Sequence, residues 1–295
     1  MTTYTRRQVF PLALAPLLGL IPSIAADPVR AADLQAAIAD IEARGSGRLG
    51  VALLDTASGA MTGHRLDERF PMCSTFKALL AAAVLGKVDA GTEQLARRLP
   101  IAQADILSYA PVTKLHVGTS GLSIAELCEA AVTVSDNTAA NLLLATLDGP
   151  SGLTRIIRSF GDGITRLDRT EPDLNEATPG DVRDTTTPAA MAQTLAKLTT
   201  GETLSAASRD LLIGWMVGCK TGAAKLRAGL PSEWRVGDKT GSGNRGSSND
   251  VAVIWPAGRA PVIVTSYLTE SGGSDEARSA VHAAVGQAVA RALGA

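Results

Sequence analysis

The sequence predicts an α+β protein: an antiparallel sheet flanked by helices as an α/β/α sandwich, built from both chain ends, with an all-helical domain inserted between them. Three observations lead there. Strand patterns lie near the ends, at 48–55 and 60–64 and again at 234–239, 251–255 and 262–268. The stretch 71–218 reads instead as helices separated by short Pro/Gly loops. An amphipathic helix precedes the first strands, and an Ala-rich helix follows the last. The implied division is a discontinuous sheet-plus-helix domain, 27–66 with 217–295, and a helical domain, 67–216, with any active site in the cleft between them.

Each element has a local reason. Leu34, Ile38 and Ile41 recur at helical spacing and predict a helix over 31–43. Residues 48–55 form a strand that turns at 56–59 and returns over 60–64. From Ala78 to Leu85 the chain is wholly apolar, so it reads as a helix buried on every side, with Pro71 and Gly86 as its stops. Further helices are expected at 124–134, 137–147, 152–160, 188–198 and 205–217, and a last one at 275–293. The polar stretch 164–187 shows no periodicity, and a loop that long in a compact domain is usually functional or disordered.

The first 26 residues bear on the compartment. Arg6 and Arg7, a short apolar run broken by prolines, and Ala25-Ala26 make a signal peptide of twin-arginine type. Export to the periplasm or the medium is expected, with no membrane attachment once the leader is removed. The chain has 28 basic and 29 acidic residues and a net charge of −1. It carries no basic stripe that would suit nucleic acid. His64, His116 and His282 are scattered without ligand spacing, so no metal or other cofactor is implied. Cys73, Cys128 and Cys219 are odd in number, which leaves at least one free thiol, and Cys128 reads as core. A monomer is expected.

Four polar clusters interrupt the pattern. Lys77 stands in the first turn of the buried helix, where a lysine is costly unless a polar group receives it. Ser74 precedes it by three residues, on the same face and at the helix's positive end, which suits a serine nucleophile beside a lysine. The plain alternative is a helix start with a snorkelling lysine. Ser-x-x-Lys arises by chance roughly 0.5 times in such a composition, so it needs support. Ser135-Asp136-Asn137 arises by chance only about 0.02 times, although all three types also cap helices. Lys-Thr-Gly occurs at 220–222 and at 239–241. The first follows a helix and reads as its exit, with Lys220 on the surface. The second ends a strand and precedes a Gly/Ser/Asn-rich turn at 242–249, so Lys239 is the one held rigidly beside a cleft. In the loop 164–187, Arg169 and Asp184 are placed to pin the neck by a salt bridge, against the bland reading of a solvated acidic loop.

Ser74-x-x-Lys77, Ser135-Asp136-Asn137 and Lys239-Thr240-Gly241, with Glu171-x-x-x-Asn175 between the second and third, resemble a class A serine β-lactamase of the penicillin-binding-protein superfamily. The resemblance covers essentially the whole chain from about Asp33. It implies hydrolysis of the β-lactam ring of penicillins and cephalosporins, a small-molecule substrate, through a Ser74 acyl-enzyme, conferring antibiotic resistance. It implies Lys77 or Glu171 as the base for acylation, and Glu171 with Asn175 holding the water that deacylates. Ser135 would pass a proton to the departing nitrogen. Backbone N–H groups of Ser74 and Ser242 would form the oxyanion hole. Asn137 would hold the substrate's side-chain amide, and Lys239, Thr240 and Ser242 its carboxylate. The Glu171–Pro172 bond resembles one that is cis in the family.

Members commonly place an arginine near the substrate carboxylate; here Ser248 stands at one such place and Lys225 near another, with Arg278 a candidate substitute. Some carbapenem-hydrolysing members pair a cysteine before the nucleophile with one just past Lys-Thr-Gly. Cys73 is present but the matching position is Gly243, which argues against that disulfide and that activity. Thr240 with Ser242 resembles cephalosporin-hydrolysing members. The competing readings are a D-alanyl-D-alanine peptidase or a penicillin-sensing domain, which share the first three motifs but lack the Glu171–Asn175 pair.

Overall fold

Helix α1 (Pro28–Gly45) leads into β1 (Arg48–Asp55) and β2 (Met61–His64). The computed structural model describes residues 28–45 and 47–295 together with Met1, so the leader expected over 1–26 lies outside the described residues. The chain continues through α2 (Phe76–Asp89), α3 (Ile124–Thr133), α4 (Asn137–Ala145), α5 (Gly149–Ser159), α6 (Pro188–Thr199) and α7 (Ala206–Val217). Strands β3 (Arg235–Gly243), β4 (Ser247–Trp255) and β5 (Val262–Thr269) follow, and α8 (Asp275–Ala292) closes the fold.

The five strands form one antiparallel sheet in the order β2-β1-β5-β4-β3. N-terminal β1 pairs with C-terminal β5, Leu53 opposite Val264, so the sheet requires both chain ends. Both faces are buried, and the two-residue period of a strand sorts their side chains. Leu49, Val51, Leu53, Ala252, Ile254, Val262 and Val264 pack with α1 and α8, whereas Ala52, Leu54, Val251, Val253, Ile263 and Tyr267 pack with the helical insert. Gly50 is required in β1 because a Cβ there would lie 2.3 Å from the Phe70 ring. This sorting supports a sheet unit (27–66 with 217–295) and a helical unit (67–216), a division we propose.

Every side chain from Phe76 to Leu85 is buried, as an apolar run without a polar face demands. Helix α2 does not stop at Gly86 but runs on to Asp89. One interior glycine weakens a helix by only about 1 kcal/mol, and Lys87 beyond it donates to Thr146 O at 3.1 Å. The polar run at 242–249 is also mostly ladder rather than turn, with Ser242 opposite Ser248. Only Asn244–Gly246 is left to turn, with Arg245 and Gly246 at φ of 54° and 65°, as a tight hairpin requires.

The loop 164–187 holds a short 3-10 turn, Asp173–Asn175, and pairs Thr185 and Thr186 with Pro71 and Phe70. Its neck is closed as the charges suggest. Asp184 accepts from Arg169 Nε at 2.6 Å and from the N–H groups of Asp168 (2.7 Å) and Arg169 (2.9 Å). Its own carbonyl accepts from Met72 N–H at 2.9 Å, which ties the loop to the approach of α2. The Asp184 side chain is 1% exposed, so its loss leaves two unpaired amides and strips the Arg169 guanidinium of its buried partner, leaving it only the half-exposed Glu176. Asp184→Ala should cost roughly 3 kcal/mol and lower the calorimetric midpoint by about 10 °C. A shift under about 2 °C would show that the neck is held by something else.

Candidate active site

Ser74 lies in a single 3-10 turn, Cys73–Thr75, that feeds directly into α2. The turn is anchored on Met72 O, which accepts from Thr75 N at 3.2 Å and from Thr75 Oγ1 at 2.8 Å. One helical turn later, Lys77 Nζ is completely buried but surrounded by oxygen. It lies 3.0 Å from Ser74 Oγ, 2.9 Å from Ser135 O, 3.3 Å from Ser135 Oγ, 2.6 Å from Asn137 Oδ1 and 2.9 Å from Glu171 Oε1. Burial pulls its pKa below the ordinary lysine value, and the Glu171 carboxylate works against that shift.

Glu171 is 2% exposed. Its Oε1 accepts from Ser74 Oγ at 3.3 Å, and its Oε2 from Asn175 Nδ2 at 2.5 Å. The Glu171–Pro172 bond is cis. Asn141 clamps the Glu171 backbone at both ends, accepting from its N–H at 3.0 Å and donating to its carbonyl at 2.9 Å. The sequence reading missed Asn141; its spacing of four from Asn137, one turn along α4, was the available signal.

In Ser135-Asp136-Asn137 the chemical and capping readings are divided among the residues. Ser135, at φ 61°, puts its Oγ within 3.3 Å of Lys77 Nζ and 3.1 Å of Lys239 Nζ. Asp136 instead caps α4 through Ala139 N–H (2.9 Å) and also accepts from Val112 N–H (3.0 Å) and Thr113 N–H (2.9 Å).

Lys239 projects from β3, the last strand of the sheet, and is fully buried. It donates to Thr240 O at 2.8 Å. Burial and the neighbouring charge of Lys77 bring its pKa down to about 7. Lys220 is exposed, as expected of the other Lys-Thr-Gly. Its neighbour Thr221 nevertheless lines the cleft and sits 2.5 Å from Thr240 Oγ1, so the discarded triplet contributes its threonine.

Six of the expected residues, Ser74, Ser135, Asn137, Asn175, Thr240 and Ser242, line one cleft of about 390 Å³, with Tyr109, Gly241, Thr221 and Lys225. Lys77, Glu171 and Lys239 are buried behind that lining. Among the basic candidates the cleft takes Lys225, whose Nζ donates to Ser248 Oγ (3.0 Å), Asn249 O (3.0 Å) and Gly241 O (3.3 Å). Arg278 turns instead to Gly273 O and Asp275 at the start of α8. Cys73 is a buried free thiol, pushed up to about 12 by burial, and a Cβ on Gly243 would stand 2.6 Å from its Sγ. Cys128 is fully buried in the core, as expected.

A family model for the β-lactamase enzyme family matches residues 33–293. β-Lactamase CTX-M-8 of Citrobacter amalonaticus is 50% identical over 273 residues, 92% of each chain. β-Lactamase L2 of Stenotrophomonas maltophilia is 52% identical over 249 residues, 84% of this chain and 82% of its own. The solved structure of an ancestral (GNCA) class A β-lactamase is 62% identical and superposes with a TM-score of 0.87, covering 88% of this chain and 99% of that one. Sequence and architecture thus agree over nearly all of the folded chain, which belongs to the β-lactamase enzyme family, among its class A members.

Proposed function

We propose that the protein hydrolyses the β-lactam ring of penicillins and cephalosporins through an acyl-enzyme on Ser74, and thereby confers antibiotic resistance. The observation that carries this is the Glu171 carboxylate, 3.3 Å from Ser74 Oγ and held by Asn175 at 2.5 Å. Turnover requires release of the acyl group, and release requires a base beside the acylated oxygen. A D-alanyl-D-alanine peptidase or a one-shot sensor has no use for that pair.

Ser74 Oγ attacks the ring carbonyl carbon, the π pair moves onto oxygen, and the hydroxyl proton passes to the Lys77–Glu171 pair. Those two groups are 2.9 Å apart with no side-chain exposure, so they act as one unit that holds an additional proton after attack. The N–H groups of Ser74 and Ser242 receive the oxyanion, each on the order of 3 kcal/mol in the barrier. Collapse breaks the C–N bond, and the nitrogen takes a proton from Ser135 Oγ, which Lys77 resupplies with the proton its pair took from Ser74, while Lys239 holds the same oxygen. Glu171 then takes a proton from a water as it attacks the ester carbon, and Ser74 leaves with a proton returned through the same pair. Asn175 Oδ1 is buried without a hydrogen-bond partner among the described residues, which supports a second contact to that water.

Lys239, Thr240 and Ser242 receive the substrate carboxylate, with Lys225 adding positive charge from the cleft wall. Asn137 Oδ1 is engaged by Lys77, so its Nδ2 is the end that meets the substrate's amide carbonyl. The leader supports export by the twin-arginine route to the periplasm or the medium. No described helix is long and apolar enough to cross a membrane.

Intact-protein mass spectrometry with a penicillin tests the reading. Wild type should return to its free mass, and Glu171→Ala, slowed about 10²- to 10⁴-fold in deacylation, should retain one acyl group on Ser74. Wild type that stays acylated would make the protein a transpeptidase or a sensor. Lys239 supplies a second test. With its pKa near 7 it is cationic below that pH and neutral above, so attraction for the carboxylate is present on the acid side and fades as pH rises. We expect kcat/KM for a penicillin to fall above about pH 7, and Lys239→Arg to carry that limb beyond about pH 9. A flat wild-type profile between about pH 7 and 9 would show that Lys239 stays charged.

A further inference from the structure

Two backbone donors that act on one oxyanion must be held to within about 0.5 Å of each other's required position. Here they come from separate parts of the chain: Ser74 N–H from the turn before α2, and Ser242 N–H from the outer strand β3. Among the described residues, no backbone hydrogen bond joins β3 or β4 to the segment 71–75. The two pieces do approach closely, since a Cβ on Gly241 would stand 2.9 Å from Met72 O and 3.3 Å from Cys73 Cβ.

The connection runs through one side chain. Asn249 in β4 is fully buried and pairs in register with Gly241, the residue before Ser242. Its Nδ2 reaches past Gly241 and donates to Pro71 O at 2.9 Å and Met72 O at 3.0 Å. Met72 O is the same carbonyl on which the Ser74 turn is anchored. Asn249 Oδ1, by contrast, has no partner among the described residues. A buried amide left half-satisfied is expensive for a core strand, where an apolar residue would pack without that penalty. Its occupancy therefore asks for a reason other than stability.

We propose that Asn249 is the positioning residue of the oxyanion site, strapping the Ser74 turn to β3 so that the two N–H groups stay at a fixed separation. This rests on the acyl-transfer reading above. Asn249 touches no substrate and acts only through the two main-chain segments it joins.

The acyl-enzyme of Glu171→Ala provides the test, because its ester carbonyl sits in the oxyanion site. Infrared difference spectra with a carbonyl-labelled penicillin are compared for Glu171→Ala alone and combined with Asn249→Ser or Asn249→Leu. Serine leaves room at the site and leucine fills it, so the two disturb packing in opposite ways. Loss of the strap should move the ester band to higher frequency, broaden it, and slow acylation about 10- to 100-fold. Val285→Ala, on the far face of the sheet, weakens the fold without reaching the strap and should leave the band in place. A band unchanged in both Asn249 variants would overturn the proposal while leaving hydrolysis intact. If the wild-type protein neither hydrolyses the penicillin nor forms an acyl-enzyme, the acyl-transfer reading fails and the strap fails with it.

Discussion

A lysine amino group with no solvent exposure, inside a helix buried on every side, is the constraint around which the site is built. Left unpaired, such a charge would destabilise the fold by several kcal/mol. Its partners come from three separated segments: Ser74 from its own turn, Ser135 and Asn137 from the α3–α4 junction, and Glu171 from the loop. Each segment must therefore be delivered to within hydrogen-bond reach of one atom. The requirement that keeps Lys77 tolerable in the core also gathers the groups to which we assign the acyl transfer.

A second buried lysine follows from the first. Lys239 meets Lys77 across Ser135 Oγ, and two like charges in a low-dielectric site push against each other's protonation. Burial lowers both lysines, and the charge of Lys77 adds to that effect at Lys239, which comes down to about 7. The edge position of β3 completes the arrangement. An edge strand ordinarily exposes unpaired N–H groups as a liability, but here that edge borders the cleft and Ser242 lies on it. Gly241 is the residue that lets the edge come this close, because any larger residue would meet Met72 O.

The proposed reactive groups, which the structure brings together, were legible from the sequence as neighbours of one site because each belongs to a short cluster at a spacing that acyl-transfer chemistry would ask for. Most element boundaries were legible too, since caps such as Ser123, Thr187, Ser205 and Ser274 mark helix starts and each accepts the N–H three residues on. Two errors share a cause. Gly86 and the run 242–249 were read by residue type, but tertiary packing overrides a single glycine in a helix, and backbone pairing carries polar residues in a ladder without difficulty. Lys225 and Thr221 were harder, because a contact between residues 221 and 240 depends on where a helix ends relative to a distant strand. No local pattern encodes that.

A set of side chains holds main chain rather than substrate, and of these the sequence signals Asp136 and Asp184 but conceals Asn141 and Asn249. Asp136 binds the backbone of 112, 113 and 139, Asp184 that of 168 and 169, Asn141 that of Glu171, and Asn249 that of 71 and 72. Each bonds a segment that carries or adjoins a proposed reactive group. Two of those segments also contain non-glycine residues in left-handed backbone, Cys73 at φ 44° and Ser135 at φ 61°, conformations that cost about 1–3 kcal/mol each. A fixed amide or carboxylate, bonded to two or three main-chain groups, can hold such a geometry where apolar packing, which is not directional, cannot. Asp136 lies inside a motif, but Asn141, Asp184 and Asn249 stand outside the motifs, because a side chain that grips backbone needs no sequence neighbour of a particular type. The motifs thus record where chemistry happens, while these scattered polar residues set how accurately its parts are placed.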